Sequence, residues 1–299
     1  MSLHRLTDIT LGVPNIAETV EFYTDFGLLS QPSSDPNDHW FGTVDGGPRQ
    51  LRIVHAPVRR LLSLGIGAED PDDLGRISAS LQRFGVESRI DGEQLTTNEP
   101  VTGVNVTVSV APQVPAKPDP EPHLPNFRAP ALLRTAPTHP RKLGHLMIAS
   151  VDSQTTTNFF TEGLGFKVSD EIKNAATFMR CSTEHHNVVV GHGPVNYTHH
   201  TSWELSDVDE IGSGVKTALK DHPERHTWGM GRFFVGANYF YYLRDPAGNL
   251  TEYYCGMDEI TEDQVWKPGV HEPGSLWGPP MPASLIRPDD LAELMADSH

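Results

Sequence analysis

The chain has 299 residues, 37% of them apolar, and carries 39 acidic against 23 basic side chains for a formal charge of −16. That balance excludes nucleic acid and anionic membrane surfaces as partners, because both require clustered Lys and Arg, and it points to a globular protein acting on a small molecule. Cys181 and Cys255 are the only cysteines, too few for a disulfide framework, and no apolar run has the length of a signal or membrane-spanning segment; a cytoplasmic location is expected.

Leu6–Val13 reads as a strand, and Pro14-Asn15 open an amphipathic helix through Ile16, Val20, Phe22 and Tyr23 that ends near Gly27. Short apolar runs follow at Trp40–Val44, Leu51–His55 and Leu61–Gly65. A second helix is expected over Asp72–Phe84, capped by Asp72 or Asp73 and closed by Gly85, and Val101–Val110 alternates as a strand. The order is β-α-β-β-β.

Between Ala111 and Pro140 prolines stand at 112, 115, 118, 120, 122, 125, 130, 137 and 140. Such a run lacks the backbone donors of a helix or sheet and reads as an extended crossover. Beyond it the same order returns. Leu143–Val151 is a strand, Asp152 caps a helix through Phe159 and Phe160, and Gly163-Leu164-Gly165-Phe166 closes it. Strands follow at Ala176–Cys181, Asn187–Val190 and Thr198–Leu205, then a helix near Asp209–Leu219. Tyr239–Tyr254 is a hairpin whose Asp245-Pro246-Ala247-Gly248-Asn249 has turn chemistry. Trp266–Pro282, rich in Trp, Pro and Gly without periodicity, suits a loop packed over an opening.

FYTDFGL at Phe22–Leu28 is echoed by FFTEGLGF at Phe159–Phe166, so the chain carries an internal repeat. The expected fold is α+β, two tandem βαβββ modules: residues 1–111, a linker over 112–140, a second module over 141–260 and a tail over 261–299. One half then serves as control for the other. His145 falls where the first half has Asp8, His200 roughly on Leu64 and Glu252 near Thr107. Only the second half has His, His and Glu at these places, so it carries the site and the first is scaffold.

Two neutral imidazoles and a carboxylate from separate strands of a curved sheet can occupy one face of an octahedral ion and leave three positions open. That set suits non-haem Fe(II), with Mn(II) as the near alternative. A structural zinc site would fill four positions and recruit thiolates, which are scarce here.

The residues that complete this picture are GHLMI around His145, His185-His186-Asn187, HHTSWEL at His199–Leu205, YYLRDPAGNLTEYY at Tyr241–Tyr254 and Trp277-Gly278-Pro279-Pro280. Together they resemble the type I extradiol ring-cleavage dioxygenases of the vicinal oxygen chelate (glyoxalase-like) superfamily, and among them the homoprotocatechuate 2,3-dioxygenase branch. The resemblance is strong from His145 to Glu252 and mostly architectural before residue 112. It implies a divalent metal on His145, His200 and Glu252, a catechol-type substrate and O2, a ring-opened aldehyde or keto acid as product, and a homo-oligomer, dimer or tetramer. It further implies His186 as acid/base and Tyr242 as hydrogen-bond donor to a substrate oxygen. His185 and His199, the first members of the two HH pairs, would be support or surface residues.

Two positions depart from the pattern. Phe233 stands where the family carries a histidine, with His226 as a stand-in, and Trp228 stands where the homoprotocatechuate branch has the arginine that binds the substrate carboxylate. A less polar diol than an arylacetate is therefore expected, in a pocket walled by Trp228, Phe233, Phe178 and Met147. The resemblance makes the tail a lid over the pocket, with a segment on the subunit surface or at an oligomer contact as the alternative. Two other functions remain open at this stage: a metal-dependent isomerase, lyase or glutathione transferase of the same superfamily, and an aromatic-ligand-binding homologue with altered catalysis.

Overall fold

The computed structural model describes residues 3–33, 35, 38–118 and 122–297. Pro120 and its neighbours in the crossover, and the last two residues of the tail, lie outside them. Two mixed sheets hold the chain. The first is built from β1 (Leu3–Val13), β2 (Leu29–Gln31), β3 (His39–Thr43), β4 (Gly47–His55), β5 (Arg60–Ala68), β6 (Ser88–Asp91), β7 (Gln94–Asn98) and β8 (Asn105–Val110), in the order β2-β3-β4-β1-β5-β8-β7-β6. The second contains β9 (Lys142–Ser150), β10 (Lys167–Ile172), β11 (Ala176–Arg180), β12 (Val188–His192), β13 (Tyr197–Glu204), β14 (His226–Phe233), β15 (Tyr239–Arg244), β16 (Leu250–Cys255), β17 (Val270–His271) and β18 (Ser275–Trp277). Their order is β17-β10-β11-β12-β9-β13-β16-β15-β14-β18.

The repeat is visible in the pairing. β1 runs parallel to β4 and antiparallel to β5, which is parallel to β8; β9 runs parallel to β12 and antiparallel to β13, which is parallel to β16. In the first sheet Gly65 lies opposite both Asp8 and Thr107, and in the second Ser202 lies opposite both His145 and Glu252. Asp8 and Thr107 are thus the counterparts of His145 and Glu252. The counterpart of His200 is Ser63, not Leu64. Both strands bulge at the same place, β5 between Leu61 and Ser63 and β13 between Thr198 and His200, so the two ladders stay in step, and reading the repeat one residue off would put the side chain on the opposite face.

Helices cover the sheets: α1 (Ile16–Asp25), α2 (Pro71–Phe84), α3 (Ser153–Asn158), α4 (Val208–Ala218), α5 (Ala283–Ile286) and α6 (Leu291–Asp297). The α2 cap is Asp70 rather than Asp72 or Asp73. Its carboxylate accepts from the backbone N–H of both, and the Asp73 side chain reaches back to the Asp70 N–H, a reciprocal capping box. Gly85 ends this helix in the left-handed region at φ 84°, as expected. Asp152 caps α3, after which Phe159–Gly163 widens into a π-type turn.

The strand expected over Val101–Val110 begins only at Asn105, because the Glu99 carboxylate accepts from the Val101 and Thr102 N–H groups and holds 99–104 in a turn. The β6/β7 hairpin ahead of it gave too little alternation to be seen. The tail is more ordered than a loop. Its strands β17 and β18 extend the second sheet at both edges, and α5 and α6 follow.

One hydrophobic core cluster runs through both halves, from Leu6, Ile9 and Phe41 to Leu146, Trp203 and Tyr253, beside two smaller ones. The Tyr253 ring stacks on Phe26 at 3.9 Å and 7°, and its hydroxyl donates to the Phe26 carbonyl at 2.6 Å. The tail is clamped from the first half. Arg59 donates to both carboxylate oxygens of Asp290, at 2.5 and 3.0 Å, and to the Thr198 carbonyl at 2.9 Å. No helix among the described residues is long and apolar enough to cross a membrane.

The hairpin turn carries a pH dependence. Asp245 is buried, accepts from Asn249 through both carboxylate oxygens and has its carboxyl pushed up to about 6, chiefly by burial. The folded chain keeps a proton there that the unfolded chain sheds near pH 4, so this group's contribution to stability falls as pH rises from about 4 to about 6, by up to about 3 kcal/mol. Urea unfolding of the parent and of Asp245→Asn across that range checks it; the variant should lack this component of the slope.

Candidate metal centre and active site

Along β9 side chains alternate. Leu146 and Ile148 enter the core, while His145, Met147 and Ala149 face a cavity of about 410 Å³. β13 adds His200, β15 adds Tyr242, and β16 sets Glu252 in register with Tyr242 and Ser202. His145, His200 and Glu252 are all buried, and one ligand atom from each lies within 4.8 Å of the others; no other such group occurs among the described residues. Glu252 Oε2 is 3.0 Å from His145 Nε2 and 3.6 Å from His200 Nε2.

The donor set fits a divalent cation. Glu252 is wholly buried, yet its ion-pair partners among the described residues are those two histidines, with no Lys or Arg beside it. A buried carboxylate without a fixed positive charge is costly, and a metal ion supplies one. The Ser202 hydroxyl donates to Oε2 at 2.6 Å and the Asn238 amide to Oε1 at 3.1 Å, which orients the carboxylate so that Oε2 meets the imidazoles. Below them Tyr254 packs on His145 at 4.9 Å, over a glycine; a Cβ at Gly144 would lie 1.8 Å from the Tyr254 hydroxyl.

Each His-His pair fixes a tautomer. His199 Nε2 is 2.6 Å from the Leu285 carbonyl, which only accepts, so that nitrogen carries the proton; burial holds the ring neutral, its pKa lowered to about 4. Its Nδ1 is then bare and accepts from His200 Nδ1 at 2.8 Å, leaving His200 Nε2 bare on the Glu252 side. The second pair repeats the device. His185 Nε2 donates to the Asp170 carboxylate at 2.9 Å, His185 Nδ1 accepts from His186 Nδ1 at 3.1 Å, and His186 Nε2 is left with a lone pair. Burial, then the neighbouring histidines, keeps both His186 and His200 well below the usual imidazole range, so both are neutral. The Tyr242 phenol is pushed well above its ordinary range by burial and then by Glu252, and stays a donor.

The structure brings His145, His186, His200, Tyr242, Met147, Phe178 and Phe233 to one cavity. Trp228 stands behind that wall instead of in it: the ring stacks on Tyr242 at 5.8 Å and its N–H donates to the Pro279 carbonyl at 2.9 Å. His226 is no stand-in for a histidine at 233, since it is exposed and shares a 2.7 Å hydrogen bond with the Tyr241 hydroxyl. The tail contributes Met281, Leu285 and Ile286 to the cavity lining. Four contributors escaped the sequence reading: Ser202, Asn238, Asp170 and the Leu285 carbonyl. Only Ser202 left a signal, its even spacing from His200.

Residues 142–253 match the model of the Glyoxalase/Bleomycin resistance protein/Dioxygenase superfamily. The second module is a vicinal oxygen chelate domain. Metapyrocatechase 2 of Cupriavidus necator is 25% identical to the chain, over 96% of it and 92% of that protein. The Mn(II)-bound glyoxalase of Novosphingobium aromaticivorans superposes with a TM-score of 0.80 at 25% identity, over 96% and 95% of the two chains. A variant of homoprotocatechuate 2,3-dioxygenase from B. fuscum does so with a TM-score of 0.77 at 18% identity, over 95% of this chain and 81% of that one, and shares the fold. The matched segment contains His145, His200 and Glu252, so the two-imidazole, one-carboxylate site lies within it.

Proposed function

We propose that the protein is an extradiol dioxygenase that opens the ring of a catechol-type substrate with O2, as a homo-oligomer in the cytoplasm. The observation that carries this reading is the convergence of His145, His200 and Glu252 at one end of an apolar-walled cavity that also holds His186 and Tyr242. The likeness to metapyrocatechase 2 supports it. The two buried free thiols agree with a reducing compartment, and Leu132 and Leu133, about two-thirds exposed, with a subunit contact.

His145, His200 and Glu252 would hold Fe(II), or Mn(II) in its place. Bound there, the ion supplies Lewis acidity toward the two catechol oxygens and a route for electrons between ring and O2. The chain's own residues do the rest. His186 Nε2, bare and neutral, takes a catechol proton and later returns it. The Tyr242 hydroxyl donates to a substrate oxygen as negative charge builds on it. Met147, Phe178, Phe233 and the tail keep water from the reacting face. Both oxygen atoms of O2 enter the product, so the overall balance is catechol plus O2 to a ring-opened acid.

No Lys or Arg lines the cavity among the described residues, so an uncharged ring substituent is accepted and a carboxylate is not. The Mn(II)-bound glyoxalase sustains a second reading, an isomerase on the same scaffold. Anaerobic reconstitution with Fe(II), followed by catechols and then oxygen, separates them. The dioxygenase gives a yellow ring-fission chromophore with stoichiometric O2 uptake. Catechol binding without uptake marks a ligand-binding homologue, and no response to either points to the isomerase.

A further inference from the structure

Asn238 stands at the metal end of the cavity with one half of its amide employed and the other half idle. The residue is 1% exposed and its side-chain Oδ1, buried, has no hydrogen-bond partner. Which atom is which follows from chemistry: Glu252 Oε1, 3.1 Å away, only accepts, so the NH2 group faces the carboxylate and Oδ1 is turned away from it. Buried acceptors without a partner are rare in folded proteins and call for a reason.

The backbone is shaped to deliver this residue. Gly236 and Ala237 both adopt positive φ, 78° and 55°, an uncommon conformation for alanine. A Cβ on Gly236 would come within 3.2 Å of the His186 ring and 3.3 Å of His185, so the loop closes directly over that pair. The Phe233 N–H donates to the Asn238 carbonyl at 3.0 Å, and the Arg232 side chain to the Ala237 carbonyl at 2.8 Å, which pins the loop from both sides. Phe233, beside it in the lining of the same cavity, offers no polar side-chain atom.

We infer that Asn238 is a substrate-binding residue: its Oδ1 accepts the O–H of the catechol hydroxyl that keeps its proton on binding, while its NH2 holds Glu252 with Oε2 toward the imidazoles. This rests on the dioxygenase reading above. A catechol near neutral pH gives up its first proton far more readily than its second, so one hydroxyl arrives as a donor. The amide oxygen, unlike His186 Nε2, is an acceptor that does not itself take the proton; it holds the hydroxyl and leaves acid–base work to the imidazole. A site built to bind an O–H discriminates against an analogue lacking it, because the acceptor is then stranded.

The test uses the full chain saturated with Mn(II), without oxygen, so that binding is read apart from turnover. Catechol and 2-methoxyphenol, in which one O–H is replaced by O–CH3, are titrated into the parent, Asn238→Leu and Asn238→Ser, with bound metal counted in each. The expected result is a loss of about tenfold in catechol affinity in Asn238→Leu and no change for 2-methoxyphenol, so the preference between them collapses. If the parent binds catechol and both variants keep its preference, Asn238 does not touch the hydroxyl and the assignment is overturned. Loss of metal from both variants would restrict Asn238 to holding Glu252 and overturn it as well. Failure of the parent to bind catechol sinks the dioxygenase reading itself.

Discussion

Glu252→Ala should leave the protein folded and without its divalent metal. Glu252 supplies the one anionic ligand, is fully buried, and is oriented by Ser202 and Asn238 so that a single oxygen faces both imidazoles. Loss of an outer partner of a metal ligand costs roughly 10- to 100-fold in affinity or activity, and loss of the ligand itself should exceed that range. The removed carboxylate was uncompensated by any Lys or Arg, so the metal-free variant should unfold no more easily than the metal-free parent by more than the two stranded donors cost, about 1–3 kcal/mol each. Metal content by atomic absorption, with urea unfolding of both apoproteins, checks this. Retention of iron and full activity would show that the ligand assignment is wrong.

His186→Gln should retain metal and lose turnover by about 10²- to 10⁴-fold, the ordinary worth of a positioned acid/base. Asp170→Asn is the more telling partner. The residue touches neither the ligands nor the cavity, yet it fixes the His185 proton and through it the bare nitrogen of His186. Its loss should lower kcat by roughly 10- to 100-fold, with KM and metal content near those of the parent. Nitrogen-15 NMR of the imidazoles in the apoprotein should then report a mixed tautomer at His186. An unchanged tautomer together with unchanged kcat would reduce the Asp170 contact to packing.

The two halves and the ligand triad were legible in the sequence because each rests on a strong local signal. Strand alternation marks β9 and β13, a proline run marks the crossover, and a carboxylate among Leu250, Tyr253 and Tyr254 is conspicuous in a hairpin. What was hidden depends on the third dimension. Asn238 follows Gly236-Ala237 and reads as a turn residue until the loop is seen folded against His186. Asp170 lies fifteen residues before His185 in an ordinary strand. The match of His200 fell one position off Ser63 because β5 and β13, which carry the same bulge, share no identical residue in register to fix the alignment. Helix α5 is four residues long, too short for any periodicity, and its functional atom is a backbone oxygen.

The two histidine pairs end on acceptors of different kinds, and this sets how each tolerates genetic drift. His199 is anchored to the main-chain carbonyl of Leu285, which survives any side-chain exchange at that position, whereas His185 is anchored to a carboxylate that a single codon change deletes. The grip on the ion is thereby buffered against mutation while the proton-handling arm is exposed to it. A lineage descending from this protein would lose chemistry before it lost its metal.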